Sequence, residues 1–277
     1  MKQRLVHSLY TGRCSDKAIE ALIYTYTLSA LYAKNSGFEI VLHGDEKACE
    51  LLKFAPYDEI YCDIFKEDAP KNNRVFAWPK FVAMAKEEDG AIHIDGDVFL
   101  KRESLQNLIC LGECDVIIQN VEQSGIYPYM GNWDNETCAF SKCHKPSWMM
   151  PSLTTMYNCG IIGFKDKEVM REYHAIYADL IKEYELRGTD IDCVPDLVAE
   201  QQMLYDFVKH KGLKVRELLP FEDISGTANK IGYQHLLGAS KYNQVDKTKE
   251  VLGLLNADLL AKTKDNYKLL KRIIWNF

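Results

Sequence analysis

The sequence predicts an α/β protein whose mainly parallel central sheet carries helices on both faces. Three observations point there. Short apolar runs alternate with helix-length amphipathic stretches, the order that parallel strands joined by crossover helices require. A length of 277 residues buries a sizeable core without covalent staples. Hydrophobic residues at 47% and charged residues at 27% fit a folded globular chain and exclude disordered, collagenous and multi-span membrane classes.

The elements follow from local pattern. Residues 5–10 are an apolar run stopped by Thr11-Gly12-Arg13, and 16–34 suit a long helix. Residues 39–43 read as a second strand ended by Gly44-Asp45, followed by a short helix at 47–53. A third strand at 59–64, a helix at 79–87, a fourth strand at 91–94 and a fifth at 115–119 continue the alternation. From 124 to 155 the pattern gives way to Gly, Pro, Tyr, Trp, Asn and Ser, which suits either a binding lid or an irregular subdomain packed by its own aromatics. A strand at 158–164, helices at 166–185 and 194–209, and a last strand at 213–218 follow. The expected organisation is one domain over residues 1–245 and a helical tail over 246–277.

Lys plus Arg number 34 against 40 for Asp plus Glu, a net charge of −6 that excludes a protein made chiefly to grip nucleic acid. The longest uncharged stretch near the start, 21–33, is too short to span a bilayer, and no signal-peptide core follows the first residues. The expected location is therefore the cytoplasm. Nine cysteines without a CxxC pair suit reduced thiols, and Cys138, Cys143, His144 and Cys159 lack the spacing of a zinc knuckle.

The sharpest motif is His93-Ile94-Asp95-Gly96-Asp97, two carboxylates at i and i+2 directly after an apolar strand. In extended chain such residues project to one face, so both can converge on a hard divalent cation, and the glycine between them permits close approach of a ligand. A strand-end turn whose aspartates cap the next segment is the plainer alternative. His93 reads as a core histidine. About 140 residues downstream, His235-Leu236-Leu237-Gly238-Ala239-Ser240-Lys241 offers an imidazole, a close backbone approach and a cation, or else a surface turn. Gln119 ends the fifth strand, where polar groups meet ligands in such sheets, or simply caps it.

Together these motifs resemble the GT-A fold glycosyltransferases, similar in pattern to the glycogenin-like and lipopolysaccharide glycosyltransferase families, over roughly residues 1–243. The resemblance implies that Asp95 and Asp97 are a DxD motif holding Mn²⁺ or Mg²⁺ against the diphosphate of a nucleotide sugar, with His235 as third ligand and Gly238 and Lys241 at the diphosphate. It implies a nucleotide contact for Tyr10 at the end of the first strand, a donor contact for Lys80, and a sugar and acceptor pocket along Tyr157-Asn158-Cys159-Gly160. Tyr242-Asn243 stand where these families usually carry Pro-Trp. Glu200-Gln201, with Asp196 one turn earlier, stand where many carry Asp-Gln, and are the candidate catalytic residues for a reaction expected to retain configuration, with inversion through Glu200 as general base the other outcome. The expected donor is a UDP-sugar and the expected acceptor a glycan or glycolipid.

The tail combines Lys262, Lys264, Lys268, Lys271 and Arg272 with Leu, Ile, Trp and Phe. It suits either peripheral contact with the inner face of an anionic membrane or a terminal helix docked on the domain. Two other functions compete. Ile94-Asp95-Gly96-Asp97-Val98 also matches the DxDx[TV] string of haloacid dehalogenase-type phosphatases, although there it normally lies on the first strand. A catalytically inactive carbohydrate-binding relative would keep the same fold.

Overall fold

In the computed structural model, which describes residues 2–12, 14–65, 69–72, 75–123, 142–149, 155–187, 195–238 and 240–274, strands and helices alternate from the start. The chain runs β1 (Arg4–Leu9), α1 (Asp16–Asn35), β2 (Glu39–Gly44), α2 (Glu46–Leu52), β3 (Glu59–Tyr61), α3 (Trp78–Met84), β4 (Ile92–Ile94) and β5 (Val98–Leu100). It continues through β6 (Val116–Gln123), β7 (Thr155–Phe164), α4 (Lys167–Arg187), α5 (Met203–Lys211), β8 (Val215–Glu217), α6 (Ile224–Ile231) and β9 (Tyr233–His235), then α7 (Ser240–Asn243), α8 (Val245–Leu255) and α9 (Ala257–Ile274). Seven strands form a sheet in the order β3-β2-β1-β4-β7-β6-β8, and β5 and β9 form a separate two-stranded sheet. The β1–β2, β2–β3 and β6–β8 pairs are parallel, and β6–β7 is antiparallel. The α/β class expected from the alternation is thus the observed one. Most of the aromatic segment 124–155, Cys138 included, lies outside the described residues.

The chain divides into two compact units, the first of residues 1–66, 94–108 and 228–277, the second of residues 67–93 and 109–227. In the first, α1 is the central helix. Ser15 caps it by accepting from the Ala18 amide, Asp16 and Lys34 complement its two ends, and Gly37 at φ 85° turns the chain toward β2. Two buried hydroxyls on or just after α1 fasten β5 alongside it: Ser29 donates to the Val98 carbonyl at 2.5 Å and Ser36 to that of Leu100 at 2.8 Å. Asp45 caps α2 through the Ala48 amide and also accepts from the Thr11 amide and hydroxyl, so the loop after β1 is held by the start of α2.

The C-terminal segment packs into this same unit. Leu252, Leu259 and Tyr267 are buried, and Asn266 donates to the carbonyls of Glu50 and Leu51 at 2.7 and 3.2 Å, covering two of the carbonyls that α2 leaves unpaired at its end. Among the described residues no helix is long and apolar enough to cross a membrane, and seven cysteines are free thiols.

In the second unit, β6 extends four residues beyond the run visible in sequence, to Gln123. Its register against β7 shifts between Ile118 and Asn120, so Gln119 sits in a bulge. Helix α4 buries Met170, Tyr173, Tyr177, Leu180, Ile181 and Tyr184 along one face, the spacing of an amphipathic helix. The expected helix at 194–209 is instead a π-helical stretch, Leu197–Gln202, running into α5, which ends at Gly212 in the left-handed conformation.

Asn266→Ala strips one buried and one part-buried carbonyl of their donor and is expected to destabilise the chain by about 1–3 kcal/mol, read from urea unfolding.

Candidate functional site

In the first unit the chain leaves the buried strand β4 and turns through Asp95-Gly96-Asp97 into β5, with the Val98 amide donating to the Asp95 carbonyl at 2.9 Å. A Cβ on Gly96 would stand 2.0 Å from the Tyr26 ring, and Tyr26 is itself fixed by donating to the Ser8 carbonyl at 2.6 Å. The close approach that this glycine permits is therefore that of an aromatic ring belonging to the chain.

Strand β9 then pairs antiparallel with β5, matching Val98 with His235, Phe99 with Gln234 and Leu100 with Tyr233. The Leu236 amide donates to the Asp97 carbonyl at 3.0 Å, and the Lys101 amide donates to that of Gly232 at 2.9 Å, extending the ribbon at both ends. Backbone pairing thus delivers a residue from far downstream to the acidic pair. His235 Nε2 lies 3.4 Å from Asp97 Oδ1 and 4.0 Å from Asp95 Oδ2. One ligand atom from each of the three residues falls within 4.8 Å of the others. Past Gly238, at φ 57°, the short helix α7 presents Lys241, whose Nζ donates to Asp97 Oδ2 at 2.7 Å.

The electrostatics are uneven. Asp97 is only 5% exposed, and burial works to raise its pKa, but the hydrogen bond and charge of His235 and the Lys241 ammonium outweigh that and hold the carboxyl well below its ordinary range. Burial pushes Lys241 down, and Asp97 more than reverses this. Two carboxylates and an imidazole nitrogen make a mixed oxygen and nitrogen set that fits a hard-to-borderline divalent ion.

Behind the turn lies a network that the sequence pattern did not reveal. His7 Nδ1 is 2.8 Å from the Tyr57 hydroxyl and Nε2 is 3.1 Å from Ser29 Oγ. Ser29 gives its one hydrogen to the Val98 carbonyl, so it accepts from His7 Nε2–H, which leaves Nδ1 to accept from Tyr57. Burial lowers the His7 pKa to about 3, so the ring is neutral and, with its proton on Nε2, its Nδ1 is the acceptor. The signal available in sequence was the run of hydroxyls, Thr25, Thr27 and Ser29, in an otherwise apolar helix. Tyr10, just past β1 in the same unit, sets its ring edge-on to Phe65 at 6.0 Å.

The remaining candidates belong to the second unit. Lys80 is buried on α3 and donates to Glu200 Oε1 at 2.5 Å and to the Cys159 carbonyl at 2.8 Å. Glu200 is 2% exposed and sits in the π-helical stretch, whose carbonyls at Ala199 and Glu200 both accept from the Tyr173 hydroxyl. The neighbouring Gln201 has a buried side-chain oxygen with no hydrogen-bond partner among the described residues. Asp196 accepts from the Ala77 amide at 2.8 Å and from the Tyr177 hydroxyl at 2.9 Å. Burial raises its pKa to about 6 against the pull of those donors and of Lys80. Asn158 donates to Glu122 Oε1 at 2.8 Å and accepts from the Gly160 amide, and Gln119 donates to Asn120 Oδ1 at 3.0 Å. The structure therefore brings Asp95, Asp97, His235 and Lys241 together in one unit and Lys80 and Glu200 together in the other.

Fold and site define an α/β protein with a metal-competent cluster at the end of a strand. The chain belongs to the family described as "Family of unknown function (DUF6734)", whose model matches residues 13–273. No curated protein matches it in sequence. Among solved structures it is similar to the apo-form glycosyltransferase GlyE of Streptococcus pneumoniae TIGR4, at 15% identity and a TM-score of 0.41 over 78% of this chain and 45% of that one. It is also similar to an active-site mutant of LgtC, at 11% and 0.40 over 77% and 72%, and to the apo form of mouse xyloside xylosyltransferase 1, at 13% and 0.39 over 79% and 86%. The chain spans less than half the length of the GlyE structure, and likenesses with TM-scores below 0.5 are too remote to transfer an activity.

Gly96→Ala forces the Tyr26 ring aside and is expected to destabilise the chain by about 1–3 kcal/mol, with part of the loss recovered when Tyr26→Leu is added; urea unfolding of both variants checks this. Because the folded Asp196 carboxyl holds its proton up to about pH 6 while the unfolded one releases it near 3.8, the folded chain binds more protons between these values, and this group's contribution to stability falls as pH rises through that window. Asp196→Asn removes the term, so the stability difference between variant and wild type is expected to shift in the variant's favour from about pH 4 to about pH 6.5, as measured by urea midpoints across the range.

Proposed function

We propose that the protein is a metal-dependent glycosyltransferase that moves a sugar from a nucleotide-diphospho-sugar, a UDP-sugar first among them, to a glycan or glycolipid acceptor with retention of configuration. The observation that carries this reading is the cluster of Asp95, Asp97 and His235 within ligand distance of one another, with a lysine beside it. A metal site alone would suit many reactions. A basic side chain at the same carboxylate argues for an anionic substrate, because Lys241 leaves two of its three N–H donors for phosphate oxygens after meeting Asp97.

Asp95, Asp97 and His235 are the residues proposed to hold the ion, and the mixed donor set suits Mn²⁺ at least as well as Mg²⁺. When bound there, a divalent ion supplies Lewis-acid stabilisation of the negative charge that grows on a leaving nucleoside diphosphate. The chain's own residues do the rest. Asp97 stays ionised because His235 and Lys241 hold it so, which keeps its oxygens available as ligands. Lys241 contributes fixed positive charge that needs no reorganisation as the phosphate charge develops. Tyr10 and Gly238 remain proposed donor contacts of this unit. In the second unit Lys80, Gln119 and Asn158 are proposed donor contacts, and Asp196, Glu200 and Gln201 the proposed catalytic group, with Gln201 supported by its unpartnered side-chain oxygen.

Thermal unfolding with Mn²⁺ and UDP, each alone and together, tests the reading. Wild type is expected to be stabilised by about 2–3 kcal/mol when both are present at roughly a hundred times the dissociation constant, and neither alone should match this. Asp97→Asn is expected to lose the joint effect and sugar transfer while staying folded. Stabilisation by UDP that ignores the metal, or that survives Asp97→Asn, overturns the proposal.

A further inference from the structure

The ribbon of β5 and β9 has a second use. Its residues border a half-open cavity of about 430 Å³ in the first unit, within the size range of small-molecule sites. The walls come from α1, from β5 and the two residues after it, from β9, and from α8. Leu28, Phe99 and Leu236 are buried apolar side chains of that wall, and the Tyr32 ring leans on Phe99 at 5.9 Å. Lys101, Arg102 and Lys247 line the same cavity, and among the described residues no aspartate or glutamate lines it.

These three cations are not there to balance acids. Lys101 donates to Gln234 Oε1 at 2.6 Å and Arg102 to the Lys230 carbonyl at 2.6 Å, both neutral acceptors, and no carboxylate pairs with any of the three among the described residues. Burial and the neighbouring Lys247 charge both lower the Lys101 pKa, the sign of uncompensated positive potential. Arg102 is seated deliberately. Gly232, at φ 77°, leaves room for its stem, since a Cβ there would come within 2.6 Å of Arg102 Cγ. Lys101 and Arg102 each keep N–H donors beyond the bond they make.

We propose that this cavity is a binding site for a small amphipathic phosphate monoester, its dianionic head among Lys101, Arg102 and Lys247 and its apolar body against Leu28, Phe99 and Leu236. Three positive charges match a dianion better than a single carboxylate. The apolar wall needs a ligand that carries more than the phosphate. The site takes its own ligand without the acidic cluster: Gln234 and Phe99 serve it, whereas their neighbour His235 serves Asp95 and Asp97.

Calorimetric titration of the full chain with n-hexyl phosphate, in the presence of EDTA at pH 7.5, tests this. One saturable site is expected, with inorganic phosphate and 1-hexanol each binding at least tenfold more weakly. Lys101→Glu with Lys247→Glu changes two exposed side chains and is expected to cost at least tenfold in affinity with an unchanged unfolding midpoint, Lys247→Gln is expected to cost a few-fold, and Asp97→Asn is expected to leave the affinity unchanged. No saturable heat with wild type, equal binding by inorganic phosphate, undiminished binding by the double variant, or a matching loss in Asp97→Asn would each overturn the proposal.

Discussion

Three residue pairs of antiparallel backbone between β5 and β9 are the constraint on which the candidate site depends. Nothing in the local sequence around Asp97 can bring an imidazole to it, because His235 is separated from it by most of the second unit's chain. Backbone hydrogen bonds do so instead, and they add no charge of their own. The ribbon is held in turn by α1, whose Ser29 and Ser36 hydroxyls bind the carbonyls of Val98 and Leu100. Ser29 can do this only with its single hydrogen, which puts a proton on His7 Nε2, and burial keeps the ring neutral. A strand of three residues is thereby fixed from both sides, and the ligand atoms inherit its rigidity.

Two buried aspartates show how the same burial accompanies opposite shifts in proton affinity. Asp97 meets an imidazole and an ammonium, and those charges outweigh desolvation, so it stays a carboxylate. Asp196 meets a backbone amide and a tyrosine hydroxyl, both neutral, and the Lys80 ammonium that might have served it donates instead to Glu200. Desolvation therefore prevails at Asp196 and its proton affinity rises. One acid is suited to hold a cation, and the other keeps its proton up to about pH 6.

Much of the architecture was legible because it rests on period and punctuation. The apolar runs at β1, β2 and β4, and the Gly44-Asp45 stop that ends the second of them, mark their own boundaries. The strands β5 and β9 were not, since three residues carry no measurable period and β9, Tyr-Gln-His, has no apolar alternation at all. The acidic pair was readable from its spacing, and the histidine and lysine, a weak string on their own, were joined to it only through the family resemblance. The role of Gly96 was invisible, because the ring that demands it comes from Tyr26 on another element. The π-helical stretch at Leu197–Gln202 was likewise hidden, being stabilised by the Tyr173 hydroxyl of α4 and not by any local preference.

A ribbon that presents different chemistry on its alternate residues also explains why its short sequence is so mixed. In β9 the tyrosine is buried, the glutamine meets Lys101 and the histidine meets Asp97. A strand with one wet face would alternate polar with apolar, but this one lies between an acidic cluster and a cationic cavity, so polar groups fall on neighbouring positions. The bulk charge of −6 describes neither environment. Charge here is sorted locally, with carboxylates gathered where an imidazole and an ammonium can hold them and lysines gathered where no carboxylate reaches them.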